Sequence, residues 1–176
     1  AHDLQTTLAT ILFENGSLKN RLKVIVIDDG SKDHTSKVLA HIWQSCPDMI
    51  HEVIRHEEPV GVNRARAEAI ALVSEDEVVV EVDDHDPLLP GALAKVLKAL
   101  EDGAVFVYGD CECFGFDAKG EMRKKEFRKE DYHPGLFREQ GGQGVGLRAY
   151  RKALYTAAGG YDPGEWPGGD YALHLR

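Results

Sequence analysis

Hydrophobic positions change period along this chain in an orderly way. Leu4, Leu8, Ile11 and Leu12 fall at i, i+4, i+7 and i+8, one face of an amphipathic helix that runs out near Asn15-Gly16. Residues 22–27 are almost continuously apolar, the pattern of a strand buried on both faces, as in a parallel sheet. Asp33 or Thr35 then caps a helix whose inner face carries Val38, Leu39, Ile42 and Trp43, with Trp43 read as core. A strand over 49–54, an alanine-rich helix over 63–73 and a strand over 77–82 follow. Pro90 suits the first turn of a helix presenting Leu93, Val96, Leu97 and Leu100. After a short strand over 104–108 the pattern alternates. Segments 111–116 and 121–127 flank Asp117-Ala118-Lys119-Gly120, a hairpin turn. Residues 129–146 are polar and glycine-rich, with no clear period. A helix is predicted over 148–157, ending at Gly159-Gly160, and the last residues begin another. Alternating strands and helices followed by a hairpin predict an α/β fold, a mostly parallel sheet with an antiparallel appendage.

Composition narrows the class. The chain has 176 residues, 43 % hydrophobic and 29 % charged, which fits one globular domain with its own core. A net charge of −9 argues against a general binder of nucleic acid or anionic membrane, while leaving room for a local basic pocket. No apolar run approaches the roughly 18–20 residues of a membrane span, and no signal-peptide pattern is visible. Cys46, Cys111 and Cys113 are odd in number. Cys111 and Cys113 share one face of a strand and are poorly placed to bond each other, so reduced thiols and a cytoplasmic setting are expected.

Ligands of such sheets bind at the carboxyl ends of the strands, and two acidic clusters fall there. Glu81-Val82-Asp83-Asp84-His85-Asp86 follows Val78-Val79-Val80. Carboxylates at a strand exit repel one another unless a cation neutralises them; oxygen and imidazole donors suit Mn²⁺ or Mg²⁺, with a diphosphate filling the remaining positions. The alternative is a solvated acidic turn or helix caps. Asp28-Asp29-Gly30-Ser31 ends the earlier strand. A carboxylate there could accept from a nucleobase N–H, although Asp-Gly is also ordinary turn chemistry. Receiver domains carry paired aspartates at strand ends too, but they need a lysine at the end of a later strand, and none is found. Arg64 and Arg66, on the helix between the clusters, could meet a phosphate or base edge, or simply pair with Glu68. Asp170, after Trp166-Pro167-Gly168-Gly169, could be a general base; on residues alone an N-cap is the commoner role. The remaining histidines, His56 among them, show no ligand spacing.

Taken in order, these segments resemble the family 2 glycosyltransferases. Residues 24–35, ending Asp28-Asp29-Gly30-Ser31-Lys32-Asp33-His34-Thr35, look like that family's strand and its Asp-Asp-Gly-Ser-x-Asp-x-Thr. Gly61-Val62-Asn63-Arg64-Ala65-Arg66 resembles its Gly-x-x-x-Ala-Arg helix, and residues 82–90 its Asp-x-Asp-Asp loop. Tyr108-Gly109-Asp110, Gly159-Gly160-Tyr161-Asp162 and residues 169–176 are similar to its later motifs.

The resemblance implies a GT-A fold, a Rossmann-like α/β/α sandwich, in one domain over 1–176. Residues 1–103 would form the nucleotide-binding half and 104–176 the acceptor side. It implies transfer of a sugar from a nucleotide-diphosphate donor, UDP-linked by expectation, with inversion and metal assistance. Asp28, Asp29, Arg66, Asp83 and Asp84 would bind the donor; Asp83, His85 and Asp86 would hold Mn²⁺ or Mg²⁺; Asp170 would deprotonate a glycan, lipid-linked or other acceptor hydroxyl. A place at the inner face of a cell membrane, in cell-envelope polysaccharide synthesis, is implied through segments not present. Departures are His85 where the pattern has Asp, Gly169 where Glu is common, and Ala67 where Asn is common. The family's first strand should precede Leu4, so a domain trimmed at both ends is expected. The competing expectations are a nucleotide- or metal-binding module without turnover, and a nucleotidyltransferase of related fold, although the latter's Gly-rich N-terminal loop is not found.

Overall fold

The computed structural model describes residues 2–18, 21–45, 47–48, 50–127 and 147–162. Its elements run α1 (His2–Ser17), β1 (Val24–Asp29), α2 (Thr35–Ser45), β2 (Ile50–His56), α3 (Val62–Ile70), β3 (Val78–Glu81), α4 (Ala92–Glu101), β4 (Phe106–Tyr108), β5 (Cys111–Phe116), β6 (Met122–Phe127), β7 (Arg148–Arg151) and α5 (Lys152–Ala157). β1 and β2 pair in parallel. β7 lies between β3 and β4, antiparallel to both, so β3 and β4 point the same way. β5 and β6 form the expected hairpin, with Phe116 opposite Met122 across the turn.

Two helical layers cover the strands, because β1 and β3 carry apolar side chains on both faces. On one side Leu4 and Leu8 of α1 and Leu39 of α2 pack on Val24 and Val26. On the same side Leu93, Val96 and Leu100 of α4 pack with Ala149, Val78 and Val80. The other side buries Ile70 of α3 and Tyr155 of α5 with Val79, Tyr150 and Tyr161. Alternate residues of β3 therefore enter different cores. This is the three-layer α/β/α arrangement that the family resemblance implies.

Three local expectations fail. Residues 148–151 are a strand, not the start of a helix. Leu147 and Ala149 face one core and Tyr150 the other, a period of two, and the strand satisfies backbone groups of both β3 and β4. Helix α4 begins at Ala92 rather than at Pro90, because Gly91 takes a left-handed φ of 79° and ends the preceding turn. Trp43 is 41 % exposed, since α2 buries Leu39 and only half-buries Val38 and Ile42. Trp43 instead lines a cleft of about 360 Å³ with Leu22, Lys23 and His51, at the amino ends of β1 and β2. The acidic clusters lie at the opposite edge.

Candidate functional site

β1 ends in two aspartates that alternation sends to opposite sides of the strand. Asp28 is buried. Its Oδ1 accepts the Ser31 N–H at 2.9 Å, and its Oδ2 pairs with Arg55, its register partner on β2. Asp28 thus shapes the turn that follows. Gly30 is required in that turn: its φ is 79°, and a Cβ would come within 2.8 Å of the Pro59 backbone nitrogen.

Asp29 faces the amino end of α3. Its Oδ1 accepts the Val60 N–H at 2.8 Å and its Oδ2 the Gly61 N–H at 3.0 Å. The same Oδ1 lies 2.8 Å from Nδ1 of His56, its register partner. A carboxylate offers about four in-plane acceptor directions, and three are used, so one on Oδ2 remains for a ligand N–H. Burial opposes ionisation of Asp29, but the hydrogen bonds from Val60, His56 and Gly61 outweigh it and hold its carboxyl below the usual range. His56 continues the chain of contacts: its Nε2 is 2.7 Å from Glu68 Oε2 on α3. Glu68, then Asp29, raises the imidazole above its usual value, while His56 and Arg64 lower Glu68.

The same helix reaches the second cluster. Arg66 Nη2 donates to Asp83 Oδ1 at 2.8 Å, and its Nε lies 3.4 Å from Glu81 Oε2. Glu81, at the last position of β3, is nearly buried and heavily partnered. It accepts from the Tyr150 hydroxyl and from the Tyr161 hydroxyl at 2.8 and 2.9 Å, with Arg148 Nη2 at 4.0 Å. Burial first, then the Glu81 charge, drives both phenols far above their usual pKa and keeps them as donors. Asn63 Nδ2 donates to the Asp162 carbonyl at 3.3 Å, so the chain at 161–162 is tied to both α3 and β3.

Asp83-Asp84-His85-Asp86 forms a tight turn closed by the Asp86 N–H on the Asp83 carbonyl at 3.1 Å. Asp84 and His85 stand exposed at its tip, 3.1 Å apart at Oδ1 and Nδ1, and Asp84, with the neighbouring carboxylates, raises the imidazole pKa. Helix α1 holds this loop with a buried polar stripe. Thr7 Oγ1 donates to the Asp84 carbonyl at 2.9 Å, Thr10 Oγ1 accepts the Leu88 N–H at 2.9 Å, and Glu14 Oε1 accepts the Gly91 N–H at 2.8 Å.

Among the described residues, no three His, Cys, Asp or Glu side chains are gathered so as to hold a metal ion by themselves. The donor set fits a divalent ion that keeps other ligands. Asp83 uses only Oδ1 in its pair with Arg66, and Asp86 Oδ2 is buried with no hydrogen-bond partner, an acceptor that a nearby cation would relieve. Mg²⁺-type ions are commonly held by one or two carboxylates together with phosphates.

The structure therefore brings Asp29, Arg66 and Asp83 to one edge, with Asp84, His85 and Asp86 in the adjoining turn, and turns Asp28 inward. Arg64 is engaged by Glu68 at 3.0 Å. Asp170 and the motif at 169–176 lie outside the described residues. His56 and Glu81 were not picked out as site residues by the sequence. Extending the second strand by two residues would have placed His56 beside Asp29.

A carboxylate at the end of β1 and an acidic turn after β3, joined by one helix, lie at the carboxyl ends of the strands, where open α/β sheets bind their ligands. The chain belongs to glycosyl transferase family 2, whose profile matches residues 1–156. It is 31 % identical over 118 residues to a GalNAc(5)-diNAcBac-PP-undecaprenol beta-1,3-glucosyltransferase of Campylobacter jejuni subsp. jejuni serotype O:2, an alignment covering 63 % of this chain and 38 % of that protein. Two solved structures share the fold. The mannosyltransferase PcManGT from Pyrobaculum calidifontis, in complex with GDP-Man and Mn²⁺, superposes with a TM-score of 0.60 at 18 % identity, covering 95 % of this chain and 47 % of that one. GalNAc-T7 with UDP, GalNAc and Mn²⁺ gives 0.57 at 17 % identity, covering 88 % and 35 %. The chain thus spans well under two thirds of each of these proteins. No described helix is long and apolar enough to cross a membrane.

Proposed function

We propose that this chain is a glycosyltransferase domain that moves a sugar from a nucleotide-diphosphate donor, UDP-linked, to an acceptor hydroxyl. The observation that carries the reading is the open acceptor on Asp29, set on the same edge as the Arg66–Asp83 pair. Asp29 would accept from the N–H of the base, which both uracil and guanine offer. Asp28 holds the loop in place from beneath. Arg66 and Asp83 would meet the ribose and diphosphate, with Asp84 beside them. Asp83, His85 and Asp86 are the residues to hold Mn²⁺ or Mg²⁺, which supplies charge neutralisation on the leaving diphosphate. Both structural neighbours carry Mn²⁺ with a nucleotide or nucleotide-sugar, which supports the use of a divalent ion.

In the reaction, the acceptor oxygen attacks the anomeric carbon from the side opposite the diphosphate. The carbon–oxygen bond to the diphosphate breaks, the configuration inverts, and Asp170 takes the hydroxyl proton. Residues 1–103 would serve the nucleotide and 104–176 the acceptor. A lipid-linked glycan acceptor is supported by the undecaprenol in the name of the Campylobacter relative, and a place at the inner membrane face would go with it.

The test is Asp170→Asn, assayed by UDP release from UDP-sugars in the presence of an undecaprenyl-diphosphate-linked glycan. Loss of about 10²–10⁴-fold in turnover with UDP affinity unchanged is expected for a general base. Full activity in Asp170→Asn would remove Asp170 from that role. UDP binding by the wild type without any transfer would favour a binding module.

A further inference from the structure

We propose that His56 is a positioning residue for the donor site, its ring clamped between Asp29 of β1 and Glu68 of α3 so as to fix the carboxylate that meets the nucleobase. The inference rests on the donor reading above and adds to it a residue and a pH dependence.

The geometry requires a charged ring. Nδ1 is 2.8 Å from Asp29 Oδ1 and Nε2 is 2.7 Å from Glu68 Oε2. A neutral imidazole carries one N–H and could donate to only one of these carboxylates. Its other nitrogen would then point a lone pair at an anionic oxygen. With Asp29 and Glu68 both ionised, as their lowered pKa values keep them, only the imidazolium satisfies both contacts. The side chain is 15 % exposed, sheltered but within reach of protons.

The charged groups around the ring are few. Asp29 faces it from β1 and Glu68 from α3; Arg64 binds the other oxygen of Glu68, at 3.0 Å. Arg55, the preceding residue of β2, lies on the opposite side of the strand with Asp28. Two carboxylates therefore face the ring without a competing cation against it. Glu68, then Asp29, shifts its titration upward, so the clamp is closed at lower pH and opens as pH rises through the raised value. When it opens, Asp29 Oδ1 loses a donor or meets a lone pair. The carboxylate then turns on its remaining Val60 and Gly61 contacts, and its open acceptor no longer points in a fixed direction.

A simple structural tie between β2 and α3 would stabilise the fold without making nucleotide affinity follow the protonation of His56. The experiment separates the two. UDP binding is measured by calorimetry in Mg²⁺ between about pH 6 and 8.5 for the wild type, His56→Gln and Glu68→Gln. The His56 ring is titrated by NMR in wild-type protein with and without UDP. The clamp predicts a wild-type affinity that falls about tenfold as the ring deprotonates, a size typical of coupled sites. It predicts weaker binding at pH 6 in His56→Gln, varying with pH only as the nucleotide itself does. Glu68→Gln lowers the ring's midpoint, and UDP raises it in the wild type, because the coupling is reciprocal. If His56→Gln does not fold, the wild-type NMR shift decides alone.

Parallel pH profiles in the wild type and His56→Gln, or a ring midpoint that ignores UDP, would overturn the clamp and leave the donor reading intact. Failure of the wild type to bind UDP or GDP at any pH would remove the donor reading and the clamp with it.

Discussion

Asp28 and Asp29 are adjacent in sequence and differ in every physical respect. Asp28 is buried under the loop and held by Ser31 and Arg55; Asp29 is partly open and held by the start of α3. Asp28→Asn keeps the size and removes the charge, leaving Arg55 with a weaker partner. We expect a loss of about 1–3 kcal/mol in urea unfolding, the range for an impaired buried polar contact. The place of Asp29 and Asp83 at strand ends was legible because their motifs are contiguous. Glu81 and His56 were not, because their partners are distant: Tyr161 lies 80 positions from Glu81, and Asp29 lies 27 from His56. The pairing of β1 with β2 makes Asp29 and His56 neighbours, and the return of the chain after α5 brings Tyr161 to Glu81.

Helix α3 assembles the site. The N–H groups at its start hold Asp29, Glu68 reaches His56, and Arg66, on another side of the helix, reaches Asp83 and Glu81. Its alanines keep it slim enough to lie along the strands, and that pattern was readable. The role of α1 was not. Its apolar stripe at Leu4 and Leu8 predicted a packing helix, and it is one, but Thr7, Thr10 and Glu14 form a second, polar stripe that carries the acidic loop. Periodicity analysis counts apolar residues and passes over buried polar ones. Thr10→Val preserves shape and removes the acceptor of the Leu88 N–H. It should cost about 1–3 kcal/mol and speed amide exchange at Leu88, measured by NMR. Strand β7 escaped recognition for a related reason: a four-residue period-two segment beside a helix is too short to outweigh the helical pattern that follows it.

Across the molecule the acidic surplus of −9 is organised rather than diffuse. Much of it at the site edge is paired with Arg55, His56, Arg64 and Arg66. This gives stability a pH signature. Asp29 and Glu68 have lowered pKa values, so their contribution is complete above the ordinary 3.8 and 4.5 and fades as pH falls through the lowered values. His56 is raised, so its contribution is complete below the ordinary 6.5 and fades as pH rises through the raised value. The stability difference between wild type and Glu68→Gln should therefore be largest between pH 4.5 and 6.5 and shrink on both sides, as read from urea midpoints. The alternating α/β order, and with it the edge where the acidic clusters lie, was visible in the sequence because β1 and β3 are apolar on both faces. The hydrogen-bond network that orients the site was not, since it joins elements that no local pattern connects.

The central claim is that this edge binds a nucleotide diphosphate through Asp29 and, with a divalent ion, through Asp83. Calorimetric titration of UDP and GDP into wild type, Asp29→Asn and Asp83→Asn, each with and without Mn²⁺, tests it directly. The account predicts binding that Mn²⁺ strengthens in the wild type. Asp29→Asn should weaken it about tenfold or more in either condition, and Asp83→Asn should remove the Mn²⁺ effect. Wild-type binding indifferent to Mn²⁺ and to both substitutions, or no binding at all, would contradict it.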